Sequence, residues 1–193
     1  MTNHDPTMLP DDLPVPVDDG ACDHLPGMTV PAVALPATDG GTVDLSEAGA
    51  GPAIVFGFPR TGRPGVATPT GWDAIPGARG CTPESCGFRD HYAALADLGI
   101  RVYGLSTQDT EYQLEMVGRL GLPFAVLSDA SLALTRALKL PTFTVDGMVL
   151  IRRLTLVVVD GRIDHVFYPV FPPDEHAAKA LGWLTERWRE KAS

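Results

Sequence analysis

Strand-like apolar runs alternate with helical segments through most of the chain, and this order restricts the folds it can adopt. Residues 53–58 are continuously apolar, as in a strand buried on both faces. Further strands are predicted at residues 100–106, 124–127, 153–159 and 163–168, and helices at residues 81–98, 110–120, 131–138 and 174–189. Because helices separate the first three strands, these should be parallel, whereas Asp160-Gly161 predicts a closing antiparallel hairpin. The fold class is therefore α/β, with a central mixed β-sheet flanked by helices.

The length, net charge and apolar pattern of the chain argue against some classes of function. The 193 residues suffice for one domain with a substantial core, and the net charge of −9 argues against binding to nucleic acid. The chain has no run of about 18 apolar residues that would predict a membrane span, and its N-terminus lacks the basic and apolar regions of a signal peptide. We therefore expect a cytoplasmic protein.

Residues 1–27, rich in Asp and Pro, predict an extended arm before a domain at residues 28–193.

Two of the three cysteines lie at the start of a predicted helix. Cys81 precedes Pro83, which is tolerated in a first helical turn, and Cys86 follows within the same helix. Unpaired N–H groups and the helix dipole at this end favour a thiolate, which is the nucleophilic form of cysteine. A second thiol nearby can then trap an oxidised first one. Cys22 lies in the arm and is interpreted as an incidental thiol, with a role in catalysis or in a mixed disulfide as the alternative.

Other chemistries find less support in the sequence. His91 raises the alternative of a zinc site with the two cysteines of the helix, but structural zinc usually has four ligands and no fourth stands at suitable spacing. No metal is therefore expected. Ser128 and Asp129 show no nucleophile-elbow context, so a hydrolase is not predicted. His165 and His176 are expected at the surface.

The segment around the two cysteines carries a family resemblance. Residues 80–90 read Gly-Cys-Thr-Pro-Glu-Ser-Cys-Gly-Phe-Arg-Asp, and with them the chain resembles the peroxiredoxins, a family with the thioredoxin fold. The block matches the Gly-Cys-Thr-x-Glu-x-Cys-x-Phe-Arg-Asp pattern of the Q-type, or bacterioferritin-comigratory, branch. Leu127-Ser128-Asp129 and Arg153-Leu154-Thr155 support the match, which covers roughly residues 28–190. The resemblance implies a thioredoxin-like fold and a thiol-dependent peroxidase.

The resemblance also implies a role for each residue of the site. Cys81 would attack hydrogen peroxide or an organic hydroperoxide and become a sulfenic acid, which Cys86 would convert to a disulfide. Arg153 would stabilise the Cys81 thiolate and polarise the peroxide, and Glu84 would orient this arginine. Arg152 is the alternative if the strand register differs by one. A thioredoxin-like donor would reduce the disulfide without metal or organic cofactor, in a monomer or homodimer.

Helix geometry adds an expectation about this disulfide. Residues five apart are separated by ~7.5 Å along a helix axis, whereas a disulfide needs Cα atoms within about 7 Å and suitably aimed Cβ atoms. The first turn of the helix should therefore unwind during turnover. Gly80 and Gly87 flank that turn and should lower the cost of unwinding.

The chain departs from the family where a Thr or Ser hydroxyl usually contacts the bound peroxide. Ala78 stands at that position, three residues before the cysteine. We interpret the loop from Pro59 through Trp72 as carrying an insertion, from which Thr61 folds back to supply the hydroxyl. If nothing replaces it, the alternative function is a thiol–disulfide redox sensor or exchange protein with little peroxidase activity.

The same loop carries positive charge. Arg60, Arg63 and Arg79 lie within residues 59–80, close in sequence to the nucleophilic cysteine. Their charge would favour an anionic or bulky hydroperoxide.

Overall fold

The computed structural model describes Leu9, residues 12–47 and residues 49–192. Within these residues the strands are β1 Ala34–Pro36, β2 Thr42–Asp44, β3 Ala53–Gly57, β4 Arg101–Ser106, β5 Val126–Ser128, β6 Thr142–Val145, β7 Met148–Ile151, β8 Leu154–Val159 and β9 Arg162–Phe167. The α-helices are α1 Cys81–Asp90, α2 Tyr92–Asp97, α3 Thr110–Leu120, α4 Ala133–Leu138 and α5 His176–Ala192.

Five strands form the central sheet, in the order β5-β4-β3-β8-β9. β4 is parallel to both β3 and β5, whereas β8 is antiparallel to β3 and β9 is antiparallel to β8. The predicted mixed sheet flanked by helices is confirmed. At the predicted hairpin turn, Asp160 and Gly161 both have positive φ, as a two-residue turn between twisted strands requires.

Alternate residues of β3 enter two separate cores, because successive side chains of a strand point to opposite faces of the sheet. Ile54 and Phe56 pack into a core with side chains of α1, α2, α3 and α5, whereas Val55 packs into a core with α4, β1 and the N-terminal segment. Phe56 stacks on Phe88 of α1, with ring centroids 4.3 Å apart. This stacking fixes α1 against the sheet.

The prediction of a single helix at residues 81–98 is wrong in one respect, because the segment is divided into α1 and α2. His91, between the two, has φ −100 and ψ 4, which lies outside the helical region. Its ring atom Nδ1 is 2.8 Å from the carbonyl oxygen of Gly87. A side chain that bonds to the backbone of the preceding turn competes with regular helix geometry, which accounts for the break.

A second hairpin, β6–β7, was not predicted from the sequence. It turns at Asp146 and Gly147, which both have positive φ. The signal was present, because Asp-Gly stands between two short apolar runs. The hairpin delivers the chain through Arg152 and Arg153 to the start of β8.

The arm predicted at residues 1–27 has neither helix nor strand where it is described, but it is not confined to the surface. Cys22 and Leu25 are buried in a core, and the N–H of Gly27 donates to the carbonyl oxygen of Ile163 at 2.7 Å. Residues 1–8, 10 and 11 lie outside the described residues. The domain boundary at residue 27 stays a prediction.

The carboxyl end of β3 brings together the segments that hold the candidate site. The chain leaves β3 into the loop at residues 58–80, which contains one 3₁₀ turn at Trp72–Ala74 and leads into α1. β8 begins at the same edge, where Leu154 pairs with Gly57. Arg153, one residue before β8, therefore arrives beside the first residue of α1.

Candidate active site

Cys81 is the first residue of α1 and is nearly buried, with 4% of its surface exposed. Gly80 caps the helix with φ 100 and no side-chain hydrogen bond. A side chain at position 80 would overlap the ring of Pro173, so glycine is required by both backbone conformation and space. The helix dipole and unbonded N–H groups at this end therefore act directly on the thiol.

Arg153 provides the second source of positive charge at the thiol. Its Nη2 lies 3.1 Å from the Cys81 Sγ and also donates to the carbonyl oxygen of Arg79 at 3.0 Å. Its Nε donates to the carbonyl oxygen of Gly77 at 3.3 Å. These carbonyl acceptors belong to the loop before α1, and because any residue type could supply them, side-chain patterns gave no signal of them. The sequence-predicted pair of Cys81 and Arg153 is brought into contact, whereas Arg152 points away.

Glu84 holds the remaining side of this guanidinium. Its Oε2 accepts a hydrogen bond from Arg153 Nη1, and neither side chain is more than 2% exposed. Burial raises the pKa of Glu84 to about 7, although the arginine opposes the shift. Burial alone would lower the pKa of Arg153, but Glu84 and Cys81 beside it outweigh that effect and raise it. The arginine therefore stays charged next to the sulfur.

A small cavity gives access to the thiol. Its volume is about 70 Å³, and Cys81 lines it together with Ala78 and Thr82. The Cys81 thiol donates to the carbonyl oxygen of Ala78 at 3.6 Å, so position 78 contributes backbone rather than a hydroxyl. Thr82, which was not among the predicted site residues, is 3% exposed, and Thr68 is a second hydroxyl-bearing residue of the lining.

Thr61 is not brought to the cysteine as predicted. It is 1% exposed and is absent from the cavity lining. Its backbone N–H donates to Gln108 Oε1 at 3.0 Å, and its hydroxyl lies 3.4 Å from the same atom. The hydroxyl of Tyr112 donates to the Thr61 carbonyl oxygen at 3.1 Å. These bonds hold the loop against α3 and its preceding turn, which is why Thr61 cannot fold back to the thiol.

Cys86 lies within intact α1, one and a half turns from Cys81, and is half-buried. All three cysteines are free thiols. Arg89 stands next to Cys86: the pKa of this arginine is raised mainly by its hydrogen bond to Asp90, and also by interaction with the Cys86 thiol. The structure thus places the second cysteine on the predicted helix, beside a cation.

His176 corrects an expectation from the sequence, because it is buried rather than at the surface, with 4% of it exposed. Its Nε2 is 2.8 Å from Thr155 Oγ1 on β8, and its ring packs edge-on against Phe88 and Phe167. Burial lowers the pKa of His176 to about 3, aided by the nearby charge of Arg153. Its position on the inner face of α5, beside Ala177, was the signal that the sequence offered.

This histidine should make stability depend on pH. An unfolded chain protonates histidine near pH 6.5, whereas folded His176 does so only near 3, so stability falls as pH falls between these values. We expect the stability advantage of the wild type over His176→Gln to shrink by about 2 kcal/mol between pH 7 and pH 5. Urea unfolding at both pH values measures it. The comparison cancels the opposite contribution of Glu84, and an advantage independent of pH would contradict the prediction.

Comparison with known proteins identifies the family of the chain. A family model described as Redoxin matches residues 25–181, which is most of the chain. The chain belongs to the redoxin family. Among curated relatives of this redoxin, the Escherichia coli (strain K12) protein "Peroxiredoxin Bcp" is 29% identical over 167 residues, covering 83% of this chain and 95% of the relative. The Oryza sativa subsp. japonica protein "Peroxiredoxin Q, chloroplastic" is 26% identical over 155 residues, covering 80% of this chain.

Solved structures lead to the same family. The crystal structure of peroxidoxin BcpB from Mycobacterium tuberculosis matches the redoxin with a TM-score of 0.67 at 26% identity, covering 84% of this chain and 98% of that one. Xanthomonas campestris peroxiredoxin Q matches with a TM-score of 0.63 at 19% identity, covering 92% of this chain and 99% of that one, and supports the fold. The predicted peroxiredoxin resemblance and the thioredoxin-like fold are confirmed.

The curated relatives differ in length and in cellular location. The redoxin spans 64% of the length of the rice chloroplastic relatives. The relatives come from bacteria and from chloroplasts, so the cytoplasmic location stays a prediction.

No helix of the described residues has the length and apolar character of a membrane span. Within the same residues, no three His, Cys, Asp or Glu side chains cluster as metal ligands.

Proposed function

We propose that this redoxin is a thiol-dependent peroxidase that reduces hydrogen peroxide or organic hydroperoxides, with Cys81 as the nucleophile. The observation that carries the proposal is the 3.1 Å contact between Arg153 Nη2 and the Cys81 sulfur at the start of α1. A cation and a helix N-terminus at one sulfur favour its thiolate, which is the reactive species. The arginine also offers N–H groups to a peroxide oxygen that gains charge as its bond breaks.

The first step transfers one oxygen atom. The Cys81 thiolate attacks the distal oxygen of R–O–OH, the S–O bond forms as the O–O bond breaks, and the alkoxide leaves. The proton that the thiol gave up on forming the thiolate balances the alkoxide, giving an alcohol and a sulfenic acid. The sulfur is oxidised by two electrons and the peroxide is reduced by two. No metal or organic cofactor takes part.

Cys86 is proposed as the resolving thiol. Its attack on the Cys81 sulfenic acid forms a disulfide and releases water. Because the two residues are five apart in α1, the first helical turn must unwind before their sulfurs can meet. Arg89 beside Cys86 supports this assignment, since a neighbouring positive charge can attract the negative charge that the attacking sulfur carries.

A dithiol protein of the thioredoxin kind is proposed as the reductant. Two thiols of the donor convert the disulfide back to two cysteines, and the donor becomes a disulfide itself. The peroxide and this donor are the only partners the chemistry requires. The oligomeric state is proposed as monomer or homodimer.

The test is peroxide consumption with thioredoxin, thioredoxin reductase and NADPH, comparing the wild type with Cys86→Ser. We expect sustained consumption by the wild type. Cys86→Ser should consume about one equivalent and then stop, because its sulfenic acid has no resolving thiol. Mass spectrometry should find the sulfenic acid in that variant and the Cys81–Cys86 disulfide in the wild type. Equal sustained turnover by both proteins would contradict the resolving role.

The alternative function is a thiol–disulfide redox sensor. It is favoured by one observation: neither Ala78 nor Thr61 places a hydroxyl at the sulfur. A sensor would form the same disulfide slowly, without rapid peroxide consumption. If Cys81 reacts with peroxide at a second-order rate constant similar to that of a free thiolate, the protein is the sensor and not the peroxidase.

A further inference from the structure

We propose that the mouth of the Cys81 cavity is a carboxylate-binding subsite built by Arg60 and Arg63, so that the preferred substrate is a hydroperoxide bearing a carboxylate near its O–O bond. This inference rests on the proposed peroxidase function and specifies its substrate class. Arg60, Arg63 and Cys81 line the same cavity, and with a volume of about 70 Å³ it holds only the reacting head of a substrate. The rest of the molecule must lie against the arginines at the opening.

Within the part of the chain that the structure describes, neither arginine has an acidic partner. Arg60 donates to the hydroxyl of Tyr112 at 2.9 Å, and Arg63 donates to the backbone carbonyl oxygen of Glu111 at 3.4 Å. Among the described residues, neither guanidinium lies within 4.0 Å of a carboxylate. Arg79, by contrast, is paired with Asp73 at 3.0 Å. Two positive charges at the opening are therefore available to an anion.

Arg63 also carries an unused donor. Its Nε is buried and has no hydrogen-bond partner within the described part of the chain. Because that atom is enclosed, a ligand at the opening would be bound by the terminal Nη atoms of Arg63. The planar guanidinium presents its donors as a fork, which a carboxylate matches with two parallel hydrogen bonds.

The subsite is held in place before any substrate arrives. The Arg63 guanidinium carbon lies 4.0 Å from the centre of the Tyr112 ring, and that of Arg60 lies 5.3 Å from it. The backbone between them is bonded to α3 by Tyr112, at the Thr61 carbonyl oxygen, and by Arg119 Nη2, at the Gly62 carbonyl oxygen 3.1 Å away. Side chains already ordered lose little entropy on binding, which strengthens the interaction.

The experiment compares matched substrates and matched variants. The substrates are a short tertiary alkyl hydroperoxide ending in a carboxylate, its methyl ester, and hydrogen peroxide. The variants are Arg60→Gln, Arg63→Gln and both together, with Arg136→Gln as the control because Arg136 is exposed on α4. For each, the rate constant kcat/KM is measured with saturating reductant at low ionic strength and at about 1 M salt.

We expect the wild type and Arg136→Gln to prefer the carboxylate over the ester by about tenfold or more, the usual effect of a charge-assisted hydrogen bond. The preference should fall toward unity in the double variant and should weaken in part at about 1 M salt, where the Debye length is about 3 Å. The rate with hydrogen peroxide, which has no carboxylate, is the reference by which the acid and ester rates of each variant are divided, so that any general loss of activity cancels.

Two outcomes would overturn the subsite. One is an equal rate with acid and ester in a wild type that consumes hydrogen peroxide, and the other is a preference that survives in the double variant. If the wild type consumes none of the three substrates, the peroxidase proposal itself fails and the substrate inference fails with it.

Discussion

Cys81→Ser is expected to abolish peroxide consumption, lowering kcat/KM by about 10³-fold or more. The hydroxyl of serine does not ionise at neutral pH and is a far weaker nucleophile, so the positive charge of Arg153 and of the helix N-terminus has no anion to stabilise. The measurement is the initial rate of peroxide consumption with excess reductant, with circular dichroism to show that the variant is folded.

Cys22→Ala is the matched control for the loss of a thiol. Burial raises the pKa of Cys22 to about 12, so its thiol stays protonated, and it packs on the opposite face of the sheet from Cys81. The control should keep the wild-type rate. Loss of activity in Cys22→Ala together with retention in Cys81→Ser would assign the chemistry to the N-terminal segment rather than to α1, and would contradict the proposed site.

Arg153→Met is expected to lower both stability and activity. Its removal leaves Glu84 buried without a partner, and breaking a buried ion pair in this way typically costs about 3–5 kcal/mol. The same change removes the cation at the Cys81 sulfur, and loss of one such donor typically lowers the rate by about 10²–10³-fold. Urea unfolding and peroxide kinetics measure the two effects separately.

The double variant Arg153→Met with Glu84→Gln separates these two roles. With no charge left unpaired, it should recover about 2 kcal/mol of the lost stability, while the rate stays as low as in the single variant. Arg152→Met is the control, because its exposed pair with Asp19 contributes little. An active double variant, or equal damage from Arg152→Met, would contradict the assignment of Arg153.

The sheet was largely predictable because its signals are local. β3 is an uninterrupted apolar run, and the Asp160-Gly161 turn between two strand-like runs sets the antiparallel edge. The break between α1 and α2 was not predictable from periodicity, since it depends on the contact between the His91 ring and the carbonyl oxygen of Gly87. Hydrophobic spacing continues through the break and conceals it.

The site was predictable where the residue type itself carries the chemistry. Cys81, Glu84 and Arg153 are recognisable in sequence and meet in the structure. The placement of Thr61 was missed because it is decided by Gln108 and Tyr112, about fifty residues later in the chain. Long-range hydrogen bonds of this kind leave no periodic pattern for the sequence to show.

The absence of a side-chain cap at the start of α1 has a consequence for engineering thermostability. A serine or aspartate cap commonly stabilises a helix by about 1 kcal/mol, but position 80 tolerates no side chain beside Pro173, and Pro83 supplies no N–H for such a cap to bond. A tighter first turn would also resist the unwinding that the disulfide requires. Stabilising changes are better made at sites such as Gly118, which is exposed on α3 and has open space around it. Heat resistance and catalytic speed can then be adjusted independently, as long as the first turn of α1 is left as it is.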